Sequence, residues 1–515
     1  MKTRVRDVQP IPRWPLWILR GVCLLVVLAV FIYPLLPADW FLAVNSATGE
    51  ILTFKKGPTT RVPFHLLWAL EGFRRLPDLQ RGLICGVLLG LLLVPRKIET
   101  LFSSGVARRP DSDARRKDKL SHFPWLAGAC GLAAVGLFYL LRVNYDLNAQ
   151  VADASVLPGD VELGTSFAAD ALTYHAFHAV RGVLAVFVSE PSGLLAIVWT
   201  SCLAGGVFVV AMLALARTVA ETVPARLTLF IGGALAGYAV LFCGYVETTQ
   251  VELALMAVYF AAAAGALRSS VKSLRVQCLT LALAAVSLAT MAHAAGVLLL
   301  PSAGILLLSD AFEPGMRWWQ VLRRVLRARN VVLVGGLIVL PFVLVLIIPF
   351  YLQGDFGNTT GGGDDIRFVV WHYDDAAPVS RYTYYSFLSG RHLADLLSAL
   401  LVAAPVALPL CLCAGVLVWR ARARLETAES WWLALLATAA GSCFLIPLMW
   451  NHDFGMWGDW NIAACYLFPL NLFAWCLLTF TNRQRQDTAG FGQRLAVLLL
   501  LTQLLLAVGL LLQFR

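Results

Sequence analysis

The chain of 515 residues is 59% hydrophobic and only 14% charged, with a mean hydropathy of +0.73, whereas a soluble domain carries roughly 25% charged residues. That deficit excludes a water-facing surface over most of the chain, and the formal charge of +10 points to anchoring against anionic lipid, not to nucleic-acid binding. Apolar runs of about 18 or more residues recur from end to end, each long enough to cross roughly 30 Å of hydrocarbon as a helix. Continuous runs exclude a β-barrel, whose strands are short and alternating, so the fold class is all-α: a polytopic integral membrane protein.

The first run, Trp14 to Leu36, follows Lys2, Arg4, Arg6 and Arg13. It is too long for a signal peptide and no small-residue cleavage site follows it, so it is expected to remain as a span. The predicted spans are 14–36, 82–95, 125–142, 193–216, 226–243, 250–267, 276–290, 294–308, 331–352, 396–419, 431–449, 462–480 and 492–512, about thirteen in all. They divide the chain into an N-terminal pair of helices with a basic loop (1–124), a membrane core with its loops (125–480) and a C-terminal helix (481–515).

Lys and Arg concentrate in cytoplasmic loops. Segment 96–120, with Arg96, Lys97, Arg108, Arg109, Arg115, Arg116, Lys117 and Lys119, is therefore expected inside, together with the N-terminus and segments 309–330, 420–424 and 483–494. The opposite side is acidic, as in loops 143–192 and 450–461. Loop 37–81 breaks the pattern, because it should be outside yet carries Lys55, Lys56, Arg61, Arg74, Arg75 and Arg81. Within it Pro63 to Leu76 resembles an interfacial helix lying on lipid headgroups. The run 276–308 is too long for one crossing and basic at both flanks, so it must turn back near Met291 to Gly296, which places His293 at the outer face. The eleven cysteines lie in or beside apolar runs without paired spacing and are expected to act as packing residues.

The polar residues able to carry chemistry fall on the outer side. Asp146 follows the third span by a few residues, and a carboxylate desolvated at a membrane edge is a better proton acceptor. Asp160 and Glu162 follow, then a predicted helix with His175 and His178; Asp153 and Asp170 are expected to matter much less. Glu247 sits in the tight turn Gly244 to Gln250, where an acid between apolar helices is costly unless it faces a polar cavity or caps the next helix, which Glu252 begins. Loop 353–395 combines Arg367, Arg381, Arg391 and His392 with aspartates and tyrosines, side chains suited to sugars and phosphates. Its glycines, Gly361 to Gly363, follow no strand and are read as a hinge. Asp459 lies between Trp457 and Trp460 in the last acidic loop. No residue pattern requires a metal, although the acids could recruit a divalent one.

The order of these features, with Gly244-Tyr245-Val246-Glu247, Ser389-Gly390-Arg391-His392-Leu393-Ala394-Asp395 and Gly458-Asp459-Trp460-Asn461, resembles the GT-C superfamily of membrane glycosyltransferases, over roughly residues 125 to 480. The resemblance implies a sugar taken from a polyprenyl-phosphate carrier in the bilayer and passed to a glycan, lipid or protein acceptor at the outer face of a bacterial inner membrane, with inversion. It makes Asp146 the general base, although the adjacent acids of the commoner pattern are replaced here by Tyr145 and Leu147 and two spans precede the core. Asp160, Glu162, His175, Glu247, His293 and Asp459 would support that site, and Arg367, Arg381, Arg391 and His392 would hold the donor phosphate. A lipid-linked oligosaccharide polymerase or ligase, using Arg391 and His392 and sparing Asp146, is the near alternative. A transporter or flippase would instead place ionisable residues at mid-membrane.

Overall fold

A computed structural model describes residues 14–37, 53–56, 60–63, 67–78, 80–84, 86, 123–145, 156–165, 170–313, 315–326, 336, 343, 387–420, 425–450, 460–484 and 489–513. In chain order the helices are α1 (Trp14–Ile32), α2 (Phe123–Asn144), α3 (Leu157–Leu163), α4 (Ala171–Leu184), α5 (Gly193–Val219), α6 (Val223–Ala234), α7 (Thr249–Arg268), α8 (Lys272–Ala292), α9 (Leu300–Ala311), α10 (Trp318–Val325), α11 (Gly390–Ala403), α12 (Ala407–Arg420), α13 (Thr427–Cys443), α14 (Leu445–Met449), α15 (Trp460–Gln484) and α16 (Ala489–Leu512). Among the described residues, eight helices are long and apolar enough to cross a membrane. The chain is a multi-pass helical membrane protein. One antiparallel hairpin, β1 (Thr53–Lys56) with β2 (Thr60–Pro63), pairs Thr53 with Pro63 and Lys56 with Thr60. The expected spans 82–95 and 331–352 lie almost wholly outside the described residues.

Without a hydrophobic drive between helices in lipid, close approach depends on small residues. A Cβ on Gly131 of α2 would lie 3.2 Å from the Gly206 carbonyl oxygen of α5, and one on Gly206 would lie 3.0 Å from that of Gly131. Deeper in the bundle, Phe468 of α15 sits among Phe208, Tyr238 and Phe260 at ring separations of 5.4, 5.4 and 5.9 Å. The run 276–308 turns back as expected: α8 stops at Ala292, and a 3-10 stretch, Ala294–Leu299, leads into α9.

The expected spans 226–243 and 396–419 are broken. The run 226–243 breaks after Ala234, and a 3-10 segment, Gly237–Phe242, completes it. A break frees carbonyls from their helical partners, which hydrocarbon cannot tolerate unsatisfied. Here Gly232 O accepts from Asn471 Nδ2 (2.8 Å) and Gln503 Nε2 (2.7 Å), and the Tyr238 hydroxyl donates to Gly233 O. The run 396–419 is the pair α11 and α12, bent by 74°. Pro405 stands in the three-residue break, where it supplies no amide to continue the ladder.

The segment expected to lie on headgroups is instead enclosed by the protein. Trp68, Ala69, Leu70 and Phe73 of the 3-10 helix Trp68–Arg75 are buried, and a Cβ on Gly72 would fall 1.8 Å from Gly509 O of α16. Two of the anomalous cations of this loop find internal partners. Arg74 pairs with Glu71 at 3.2 Å and lies 4.7 Å over the Tyr33 ring, whose hydroxyl also donates to Glu71; Arg81 pairs with Asp78 and donates to Phe73 O. At the end of the bundle where α5 and α7 finish, Arg268 pairs with Glu429 (3.4 Å), Arg275 with Asp310 (3.0 Å) and Arg324 with Glu313 (2.5 Å). The acids and histidine described next occupy the other end.

Candidate functional site

The turn between the broken span and α7 organises that end. Gly244 has φ +74°, and a Cβ there would lie 3.0 Å from Arg142 and Val198, so glycine is required twice over. Its amide donates to Ser201 Oγ, which itself donates to Leu241 O at 2.6 Å. Tyr245 is fixed by Trp460, whose indole Nε1 donates to the phenol oxygen at 3.0 Å, and by Gln250, which donates to its carbonyl. Val246 fills a small core with Leu157, Val161, Tyr174, Phe177, Ala196 and Ile197. Thr173 of α4 closes the far side: its hydroxyl lies 2.9 Å from Ala292 O and 3.2 Å from Thr248 O, tying α4 to α8 and to the turn.

Two features flank this turn. On one side is a cleft of about 480 Å³, lined by Tyr139, Arg142, Val143, Asn144 and Tyr145 from the end of α2 and by Ser192, Leu194, Leu195 and Val198 from the start of α5. On the other is a polar cluster. Glu252, in the first turn of α7, is wholly enclosed, and its Oε1 accepts from the Tyr466 hydroxyl at 2.6 Å. The same hydroxyl is 2.9 Å from His293 Nδ1, and the imidazole lies 3.6 Å from Glu252 Oε2. Cys465 Sγ also approaches Oε2 at 3.6 Å. On the outer edge of the imidazole, Nε2 is 4.0 Å from Asp170 Oδ1, at the N-cap of α4. His293 and Asp170 side chains are each 19% exposed, so accessibility falls from this pair to none at Glu252.

The expected site residues scatter. Glu247 is buried in the turn itself and His293 joins the cluster. Glu162 receives the Gly193 amide at 2.9 Å and so caps α5; Asp160 lies in the first turn of α3, and His175 is exposed on α4. His392 is buried at the start of α11, its Nδ1 2.7 Å from Phe387 O. Arg391 belongs to the same helix turn, and nothing of its side chain is described. Asp146, Asp459, Arg367 and Arg381 lie outside the described residues. Among the described residues, no group of three or more His, Cys, Asp or Glu side chains is arranged to hold a metal ion.

No protein-family model matches the chain, and no curated protein matches it. Solved structures do, among them the following. The chain is similar to ArnT from Cupriavidus metallidurans bound to undecaprenyl phosphate, at 12% sequence identity and a TM-score of 0.45, over 76% of this chain and 78% of that one.

Arg142 and Tyr466 of this end were not singled out from sequence, Asp170 was expected to matter much less, and Glu252 was noted only as the start of its span. Glu252 carried a readable signal, since a carboxyl inside an apolar run is expensive unless it has partners. Asp170 stands where a helix N-cap is expected. Tyr466 carried none, because an aromatic in a span is ordinarily packing.

Proposed function

We propose that the protein is a membrane glycosyltransferase that moves a sugar from a polyprenyl-phosphate carrier to an acceptor, with inversion, at the outer face of a bacterial inner membrane, its N-terminus being cytoplasmic. The observation that carries this is the cleft where α2 leaves the apolar bundle: tyrosines and an arginine on one wall, leucines and valine on the other, with Asp146 next in sequence to Tyr145. Such a wall suits an amphiphilic donor, the apolar side meeting the prenyl chain, the tyrosines the sugar and Arg142 the phosphate. Asp146 takes the proton of the acceptor hydroxyl as that oxygen attacks the anomeric carbon, and the lipid phosphate leaves. Arg367, Arg381, Arg391 and His392 are the cations assigned to the charge developing on that phosphate, since fixed charge placed there is the strongest electrostatic lever available. None of these steps calls for a metal, and the acids remain able to recruit a divalent one. Asp160, Glu162, His175, Glu247, His293 and Asp459 are assigned supporting roles.

The test is transfer from labelled polyprenyl-phosphate sugars by purified protein in proteoliposomes. A general base contributes about 10²–10⁴-fold, so Asp146→Asn is expected to lose that much activity while donor-lipid binding and thermal stability stay near the parent's. Full activity in Asp146→Asn together with loss in Arg391→Ala or His392→Ala transfers the assignment to a lipid-linked oligosaccharide polymerase or ligase. Lipid carried across the bilayer without transfer assigns a flippase instead.

A further inference from the structure

At the end of the bundle opposite the cleft, the chain makes the kind of surface that was expected of Pro63 to Leu76 and is not found there. α9 finishes at Ala311, and a turn in which the Met316 amide donates to Glu313 O, with Gly315 at φ +86°, redirects the chain into α10. Successive residues of an α-helix step about 100° around its axis. On that wheel Val321, Val325, Trp318, Leu322 and Trp319 fill an arc of about 160°, while Arg323, Gln320 and Arg324 fill about 100° of the remainder. The two arcs do not interleave. One edge of the apolar arc, Val321 and Val325, packs on the protein. The rest turns away from it: Trp318 is 74% exposed, and Trp319, Leu322 and Leu326 are exposed with it.

Two tryptophans and two leucines on one face differ from the scattered single apolar residues of a water-facing surface. Neighbouring side chains mark the level at which this face lies. The Phe312 ring is 5.5 Å from that of Trp431, in the second turn of α13, and Arg217 sits 4.0 Å over Phe123 at the start of α2. Aromatic and basic side chains gather in this way where hydrocarbon meets headgroups. Charge points in the same direction. From Arg317 to Arg329 the sequence holds five arginines and no acid. Arg324 is tied back to Glu313 beyond the end of α9, whereas Arg317 and Arg323 are exposed, Arg317 lying 4.8 Å over the Trp319 ring.

We infer that α10 is an in-plane anchor: its apolar arc enters the acyl boundary of the leaflet at that end, and Arg317 and Arg323 bind the phosphates of anionic phospholipid. Only the six residues Phe312–Arg317 separate α9 from α10, so bilayer lies within reach of this face before any other partner. The anchor is independent of the glycosyl-transfer function and stands if that function fails.

The experiment has two arms, both in nanodiscs and in a background without native thiols. In the first, a nitroxide is attached at Leu322→Cys, Leu326→Cys or Gln320→Cys, and its relaxation by oxygen, which concentrates in acyl chains, is compared with that by a nickel chelate, which stays in water. Labels at 322 and 326 are expected to respond to oxygen and the label at 320 to nickel. Equal nickel access at all three positions places the face in water and overturns the anchor. Labels at 322 and 326 shielded from both reagents mean that a second copy of the chain covers the face, which overturns it as well. In the second arm, a fluorophore at Leu326→Cys is quenched by brominated phosphatidylglycerol or brominated phosphatidylcholine in mixed bilayers. An arginine near an anionic surface contributes about a fivefold preference, so the phosphatidylglycerol should quench more strongly, and Arg317→Gln with Arg323→Gln should lower the ratio at least about fivefold. A parent ratio of one, or a ratio that the double variant retains, removes the anionic-lipid assignment. The depth arm uses neither arginine substitution and decides the anchor by itself if that variant does not fold.

Discussion

The broken span offers a measurement whose outcome follows from counting hydrogen bonds at one oxygen. Gly232 O accepts from Asn471 of α15 and from Gln503 of α16, while Asn471 also serves the Tyr238 hydroxyl and Gln503 also receives the Trp475 indole. Each side chain therefore makes two bonds, and an interhelical bond in a membrane protein contributes on average about 0.6 and at most about 1.7 kcal/mol. Asn471→Leu and Gln503→Met are each expected to cost about 1–3 kcal/mol on this basis. The single variants leave Gly232 O with one donor. The double variant leaves it with none, and an unsatisfied buried polar group adds about 1–3 kcal/mol. The double loss should therefore exceed the sum of the singles by at least about 1 kcal/mol, read from the unfolding midpoint in denaturing detergent titrated into mixed micelles. Additivity within about 0.5 kcal/mol would mean that the oxygen does not depend on this pair, and the account of how the break is sustained would fall.

Two further outcomes are expected from packing and topology. Gly72→Val places side-chain atoms against the Gly509 carbonyl, 1.8 Å from where even a Cβ would sit, and should lower stability by at least about 1–3 kcal/mol in the same unfolding assay; a neutral effect would mean the seam between Trp68–Arg75 and α16 is looser than drawn. In a background stripped of native thiols, an impermeant reagent added outside is expected to modify Asn358→Cys and not Ser112→Cys, and the reverse pattern would invert the assigned orientation.

The membrane class was legible because hydropathy is a bulk property, summed over many residues and insensitive to any one of them. The return at His293 was legible for a topological reason: a long apolar run with arginines beyond both ends must cross an even number of times. The breaks in 226–243 and 396–419 were not, because alanine, glycine, leucine and proline are as apolar in a bent backbone as in a straight one. What sustains the first of these breaks is supplied by Asn471 and Gln503, more than two hundred residues away. The segment Trp68–Arg75 shows the same limit, since a face that fits lipid also fits another helix. At the candidate site, the turn around Glu247 stood out as a costly acid between apolar helices, and His293 was placed there by the hairpin alone. Their partners Asp170, Glu252 and Tyr466 are brought together from three separate helices, and no spacing along the chain records that meeting.

The glycine seam that joins Trp68–Arg75 to α16 is also a statement about timing. Gln513 donates to Trp68 O across 445 residues, an interval that takes about 20–90 s to synthesise at roughly 5–20 residues per second. Throughout that interval Phe73 shares a core only with Val26, Val27, Val30, Tyr33 and Leu70, and α16 completes the enclosure with Leu505 and Leu506. A chain stalled before α16 would thus leave the Gly72 face of that segment uncovered, making α16 the latch that closes over it.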